Sequence, residues 1–184
     1  MFSLPPVVSF LAVLSVVVEV FILFLLVASV AEWRDWKRSC RFTRIVDRYS
    51  LPLLFTITLT ATGSSLYFSE VLGWTPCKLC WFQRIFMYPQ LPLALLALWR
   101  RDRGIAPSIL VLSLIGMCFS IWHYGEQVYY NLYPELITVC DSTGVSCVNA
   151  QMLAFGYMTI PMMALTAFAL NALISGRMVR RISV

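Results

Sequence analysis

The stretch Pro76–Cys77–Lys78–Leu79–Cys80–Trp81–Phe82–Gln83–Arg84 sets two cysteines three positions apart at the mouth of a hydrophobic segment, with an arginine one helical turn beyond. A CxxC is compatible with a redox dithiol, half of a metal site, or coincidence. A second pair, Cys140 and Cys147, encloses six residues. Gly144 and the surrounding Asp, Ser and Thr favour a tight, exposed loop that a disulfide could close. Such a clip is either purely structural or a target for an incoming thiolate. Which of these applies depends on where the chain places the four sulfurs.

The 184-residue chain is 60% hydrophobic and only 12% charged. A soluble domain of this size would expose too much apolar surface, so the composition implies an integral membrane protein. The net charge of +5 does not indicate nucleic acid, because the basic residues cluster beside apolar runs, as they do in membrane topologies. Runs of about 20 apolar residues, enough to cross a ~30 Å hydrocarbon core, fall at 7–31, 51–71, 79–99, 105–124 and 152–174. Each is read as a helix, since lipid offers no other partner to backbone polar groups. Pro89 and Pro92 predict a kink in the third run, and Pro161 one in the fifth. The 125–151 segment is too short to form a core of its own.

Twelve of the fourteen Lys and Arg residues fall at 31–50, at 100–104 and from Arg177 onward, regions that helix parity places on one side. The positive-inside rule then gives an external N-terminus, a cytoplasmic C-terminus and two external loops that carry the cysteine pairs. A cleaved signal peptide is disfavoured for the first run, which is too long and lacks a preceding basic region. Glu19, near the centre of that run, is expected to contact the bundle, because a carboxylate facing lipid is costly. The resulting organisation is an all-α integral membrane protein. Residues 1–50 form a helix and a basic cytoplasmic loop, 51–176 a four-helix bundle, and 177–184 a basic tail.

Topology sorts the cysteines. Cys77, Cys80, Cys140 and Cys147 lie outside, where disulfides persist. Cys40 is read as a cytoplasmic surface thiol and Cys118 as a small packing residue of the fourth helix. A CxxC at a helix start aims backbone N–H groups and the positive dipole end at its first sulfur, favouring a Cys77 thiolate. At 100° per residue, Arg84 lies about 40° around the helix from Cys80 and about 20° from Cys77. Its guanidinium could sit beneath the pair and hold an anionic group, or snorkel to lipid head groups. Two dithiol/disulfide couples on one face can exchange electrons. A non-catalytic scaffold clipped by structural disulfides, or a four-cysteine zinc site, are the alternatives. The spacing across two membrane helices is atypical of compact zinc ribbons.

In this order, the residues resemble the DsbB-type disulfide bond formation proteins. The likeness covers roughly residues 51–174: four helices, Cys77–x–x–Cys80 followed by aromatics and Arg84, then an outer cysteine pair before the last helix. The short second loop and the phrases Trp122–His123–Tyr124 and Thr159–Ile160–Pro161 look most like the short-loop branch called BdbC. The vitamin K epoxide reductase family places its CxxC after the loop pair, so the order here favours DsbB.

The resemblance implies a thiol:quinone oxidoreductase of the bacterial plasma membrane that reoxidises a DsbA-like, thioredoxin-fold thiol oxidase. Its acceptor would be ubiquinone or menaquinone, and its partners that oxidase and membrane lipid, not nucleic acid. Cys140 matches the cysteine attacked by the partner, and Cys147 the one that exchanges with the CxxC. Cys77 matches the member accepting that exchange, Cys80 the one passing electrons to quinone, and Arg84 the arginine of the quinone site. His123 suits hydrogen bonding to a quinone carbonyl, although aligning Leu132–Tyr133–Pro134 with the main branch puts Gln127 at the family's histidine position. The additional N-terminal helix has no counterpart among the usual four.

Overall fold

The computed structural model describes residues 5–34, 41–133, 147 and 152–182. Seven α-helices carry the fold: α1 (Pro6–Arg34), α2 (Arg41–Arg48), α3 (Ser50–Leu66), α4 (Lys78–Met87), α5 (Gln90–Arg100), α6 (Ala106–Leu132) and α7 (Ile160–Ile182). A π-helical turn, Tyr67–Val71, extends α3. No β-strand occurs among the described residues, only an isolated pairing of Ala154 with Met158. Helices α1, α3 with its extension, α6 and α7 are each long and apolar enough to cross a membrane. Together α4 and α5 supply a further, broken span, so the bundle has four crossings plus the N-terminal one.

The break falls at Tyr88 and Pro89, because proline has no N–H to return to the Ile85 carbonyl. Gln90 closes the gap. Its Nε2 donates to the Phe86 carbonyl at 3.0 Å, while its Oε1 accepts from Ser113 Oγ at 3.2 Å and Asn171 Nδ2 at 2.9 Å. One fully buried amide thus ties α5 to α6 and α7. Helices α6 and α7 pack tightly at Gly116, where a Cβ would stand 2.3 Å from the Phe168 ring. Only a residue without a side chain fits there.

Several boundaries differ from the sequence reading. The segment 31–50 is not all loop: α2 forms within it and buries Thr43 and Val46. Helix α6 continues past residue 124 to Leu132, because no proline intervenes before position 134 and Trp122 Nε1 donates to Glu126 Oε1 one turn on. The apolar residues from Met152 are not yet helix. Phe155 and Gly156 take positive φ values of 54° and 80°, making a turn that ends where α7 begins. Pro161 is therefore the second residue of α7, where its missing N–H costs nothing and no kink follows. Cys118 is exposed on α6 rather than packed inside. Cys40 and Cys140 lie outside the described residues.

The basic residues assigned to a tail belong to α7, and Arg177 fastens the N-terminal helix to the bundle. Its Nε and Nη2 engage the two carboxylate oxygens of Asp47 at 3.0 and 3.1 Å. Nη1 donates to Ser29 Oγ at 2.8 Å and to Glu32 Oε2 at 3.1 Å. Higher up, Glu19 makes the bundle contact its position implied, accepting from Tyr157 Oη at 2.9 Å and Thr166 Oγ1 at 3.2 Å. Arg177→Ala leaves Asp47 and Glu32 without this shared cation. It is expected to cost about 1–2 kcal/mol, below the ~3 kcal/mol scale for breaking one side of a buried ion pair, because Asp47 keeps Arg181 at 2.7 Å. Thermal unfolding in detergent measures this, with Arg177→Lys recovering only part because it loses the bidentate fork.

Candidate active site

The start of α4 collects the chemistry. Cys77 is the residue immediately before the helix, in extended conformation, so its side chain turns back over the first turn and meets Cys80. Cys77 Sγ donates to Cys80 Sγ at 3.6 Å. Cys147 is buried beside them, its carbonyl 3.1 Å from the His123 Nε2 that also lies 3.7 Å from Cys77 Sγ. Three of the four candidate redox cysteines therefore meet at one point, with Cys77 in the middle.

The helix start does not stabilise a Cys77 thiolate, contrary to the expectation from its position. The amide of Leu79 is directed at Cys147 Sγ, and that of Cys77 at Cys80 Sγ. Cys77 is left as donor to Cys80 in a buried setting, and both effects push its pKa up to about 12. Cys147 is likewise pushed up to about 12, first by burial and then by its hydrogen bond with Cys77.

Two side chains from one face of α6 hold Cys147 in place. His123 Nε2 lies 3.1 Å from the Cys147 carbonyl oxygen and 3.7 Å from Cys77 Sγ. Gln127, one turn on, donates from Nε2 to the same carbonyl at 3.5 Å. His123 Nδ1 meets Gln83 Nε2 at 3.4 Å. An amide donor at Nδ1 leaves the imidazole proton on Nε2, facing the carbonyl and the sulfur. His123 and Gln127 thus stand at the cysteines rather than at an acceptor cavity. The extension of α6 beyond residue 124 is what brings Gln127 into reach.

A cavity of 290 Å³ opens on the other side of Cys80. Its wall includes Cys80, Gln83, Arg84, Tyr88 and Ser65, with most of the remainder apolar. Cys77 and His123 are not on it. Arg84 Nη2 donates to the Ser65 carbonyl at 3.0 Å, and the guanidinium lies 5.3 Å from the Trp81 ring centre. These contacts hold the guanidinium at the cavity wall. Gln83, unremarked in the sequence reading, touches both compartments. The available signal was a lone amide three residues after Cys80 in an otherwise apolar, aromatic turn.

The cavity combines largely apolar walls, a cation with N–H donors, and a sulfur at its edge. Its volume is at the lower end of the range of about 300–1,000 Å³ for small-molecule pockets, so it suits a ring more than a long tail. The ligand atoms of Cys77, Cys80 and His123 also lie within 4.8 Å of one another, close enough to share a metal ion. The His123 nitrogen concerned is occupied by the Cys147 carbonyl, which opposes that use.

A helical bundle with membrane-spanning helices gathers thiols beside an apolar cavity, an arrangement compatible with thiol redox chemistry. Residues 47–178 match the family model described as Disulfide bond formation protein DsbB, and the chain belongs to that family. It is similar to a "Probable disulfide formation protein" of Metapseudomonas resinovorans, with 38% identity over 67% of this chain and 85% of the relative. A "Probable disulfide formation protein C" of Halalkalibacterium halodurans is 42% identical over 61% of this chain and 80% of its own length. The "SPbeta prophage-derived disulfide bond formation protein B" of Bacillus subtilis is 35% identical over 70% and 83% respectively. No solved structure matches the chain significantly.

Proposed function

We propose that this multi-pass membrane protein is a thiol:quinone oxidoreductase that reoxidises a DsbA-like, thioredoxin-fold thiol oxidase outside the cell membrane. The observation that supports it most is the position of the Cys77 thiol, 3.6 Å from Cys80 Sγ and beside the buried Cys147, whose carbonyl meets the same His123 nitrogen, while Cys80 faces the cavity beside Arg84. In the proposed orientation, the N-terminus and both cysteine loops are external, and the basic ends of α5 and α7 are cytoplasmic.

The steps balance as follows. A partner thiolate attacks Cys140 of the Cys140–Cys147 disulfide, releasing Cys147, and the partner's second thiolate then releases Cys140 and leaves with a disulfide. The Cys147 thiolate attacks Cys77 of the Cys77–Cys80 disulfide, and Cys80 departs as thiolate. Cys140 resolves the Cys77–Cys147 bond, restoring Cys140–Cys147 and leaving Cys77 and Cys80 as a dithiol. A bound quinone supplies the two-electron, two-proton sink that returns this dithiol to a disulfide. Arg84 positions the acceptor's oxygen and favours negative charge there. His123 and Gln127 hold the Cys147 backbone against Cys77, and the His123 Nε2 proton faces Cys77, the sulfur released as thiolate when Cys140 resolves the Cys77–Cys147 bond.

Purified protein, a reduced thioredoxin-fold oxidase and decylubiquinone or a menaquinone analogue test this directly. Quinol should form in a 1:1 ratio with partner disulfide, and Cys140→Ser should stop turnover. Full turnover by Cys140→Ser would overturn the assignment. Thiol trapping with and without quinone separates the other readings: four unreactive cysteines indicate a clipped scaffold, and protected thiols with stoichiometric zinc a metal site.

A further inference from the structure

Helix α1 lies entirely outside the 47–178 segment shared with the family, yet it is built into the cavity. Leu11, Leu14, Ser15 and Val18 line it. Their spacing of i, i+3, i+4 and i+7 is one continuous helical face. The remaining walls come mainly from α3, α4 and α7, so α1 closes the side that those helices leave open. The placement is fixed at both ends of the contact. Glu19, one residue beyond the stripe, accepts from Thr166, which itself lines the cavity, and from Tyr157. The Arg177 cluster holds Ser29 and Glu32 at the far end. A carboxylate in an otherwise apolar helix is costly in lipid. Paired with Thr166, it fixes the rotation of α1 that turns Ser15 and Val18 toward the cavity, sets Leu14 at its rim, 36% exposed, and leaves Val17 outward, 59% exposed.

We propose that α1 is the specificity wall of the acceptor site: Leu11, Leu14, Ser15 and Val18 set the width available to a quinone ring and separate that ring from the surrounding lipid. This rests on the reading of the cavity as a quinone site. Ser15 is the smallest side chain of the stripe, with its hydroxyl satisfied by the Leu11 carbonyl at 2.9 Å. It therefore leaves room without presenting an unpaired donor. Bulk added there enters the cavity, whereas bulk added at Val17 enters lipid.

Two measurements test the wall. In Ser15→Phe, the KM for decylubiquinone should rise about tenfold or more, as expected when a pocket is overfilled. The quinone-free, single-turnover oxidation of one equivalent of partner should keep its wild-type rate. Val17→Phe should stay within about twofold of wild type in both, as a lipid-facing substitution outside any contact network. Independently of any variant, a short-tailed azidobenzoquinone irradiated with the unmodified protein should label residues 11–18. A wild-type KM in Ser15→Phe, or labelling confined to α3, α4 and α7, overturns the proposal while leaving the quinone reading standing. Absence of quinone reduction by the wild-type protein overturns both.

Discussion

Cys80→Ser is expected to abolish turnover with quinone, a loss of roughly 1,000-fold or more, as when one member of a catalytic unit is removed. It is also expected to collect the protein as a Cys77–Cys147 disulfide. The site geometry gives the reason for the second effect. Cys77 has two sulfur neighbours, Cys80 at 3.6 Å and the buried Cys147 beside it. With Cys80 gone, the Cys77 thiolate attacks Cys147 of the Cys140–Cys147 disulfide and releases Cys140 as thiolate. Cys80 can no longer convert the resulting Cys77–Cys147 bond to Cys77–Cys80, so it persists while Cys140 is held in a mixed disulfide with oxidised partner. Peptide mapping under non-reducing conditions after acid quench identifies the bond. A Cys77–Cys140 bond in its place would mean that Cys147 is not the exchanging member. Cys77→Ser should lose turnover equally but trap nothing on the α4 side, since Cys80 faces the cavity rather than Cys147's hydrogen-bonding partners.

Much of this site was legible from residue types and spacing, for a physical reason. Membrane spans announce themselves through length and hydropathy, because lipid demands about 20 residues of satisfied helix. A CxxC at a helix mouth with Arg84 in register is likewise a local pattern, and Arg84 and Cys80 do share the cavity wall. What was not legible depends on contacts distant in sequence or on helix ends. The run from Met152 carries helix-like hydropathy, and only the positive φ at Phe155 and Gly156 reveals a turn. Gln127 gained its place beside the Cys147 carbonyl from two further turns of α6 that polar residues disguised as loop. The expected Cys77 thiolate failed because the amide donors of the α4 start go to Cys80 and Cys147, an allocation set by the side-chain directions of three cysteines. Position at a helix N-terminus alone does not decide which sulfur receives the field.

That allocation makes a kinetic prediction of comparable size. Exchange from Cys147 to the Cys77–Cys80 disulfide should accelerate about tenfold per pH unit from pH 6 to 9 with no plateau, because only the thiolate attacks. The sign follows from burial: it disfavours the charged form and pushes the Cys147 thiol up to about 12, so protonation persists through this range and lifts only as pH rises. At pH 7, a pKa about three units above the ordinary thiol value of 9.0 reduces the thiolate fraction on the order of 1,000-fold. The stronger nucleophilicity of a more basic sulfur recovers part of that, with a Brønsted coefficient of about 0.4–0.5. The net expectation is exchange roughly 30- to 60-fold slower at neutral pH than from an unperturbed thiol held in the same geometry. His123 bears on this step, since its Nε2 proton faces Cys77 Sγ and the Cys147 carbonyl. His123→Ala should lower the rate at every pH while preserving the slope, if the imidazole positions Cys147, whereas His123→Gln should restore part of it. Mixing oxidised protein with one equivalent of reduced partner, without quinone, and quenching with acid before alkylation gives the rate at each pH. A plateau between pH 7 and 8 would mean that the Leu79 amide overrides burial and holds Cys147 as a thiolate in the exchanging state.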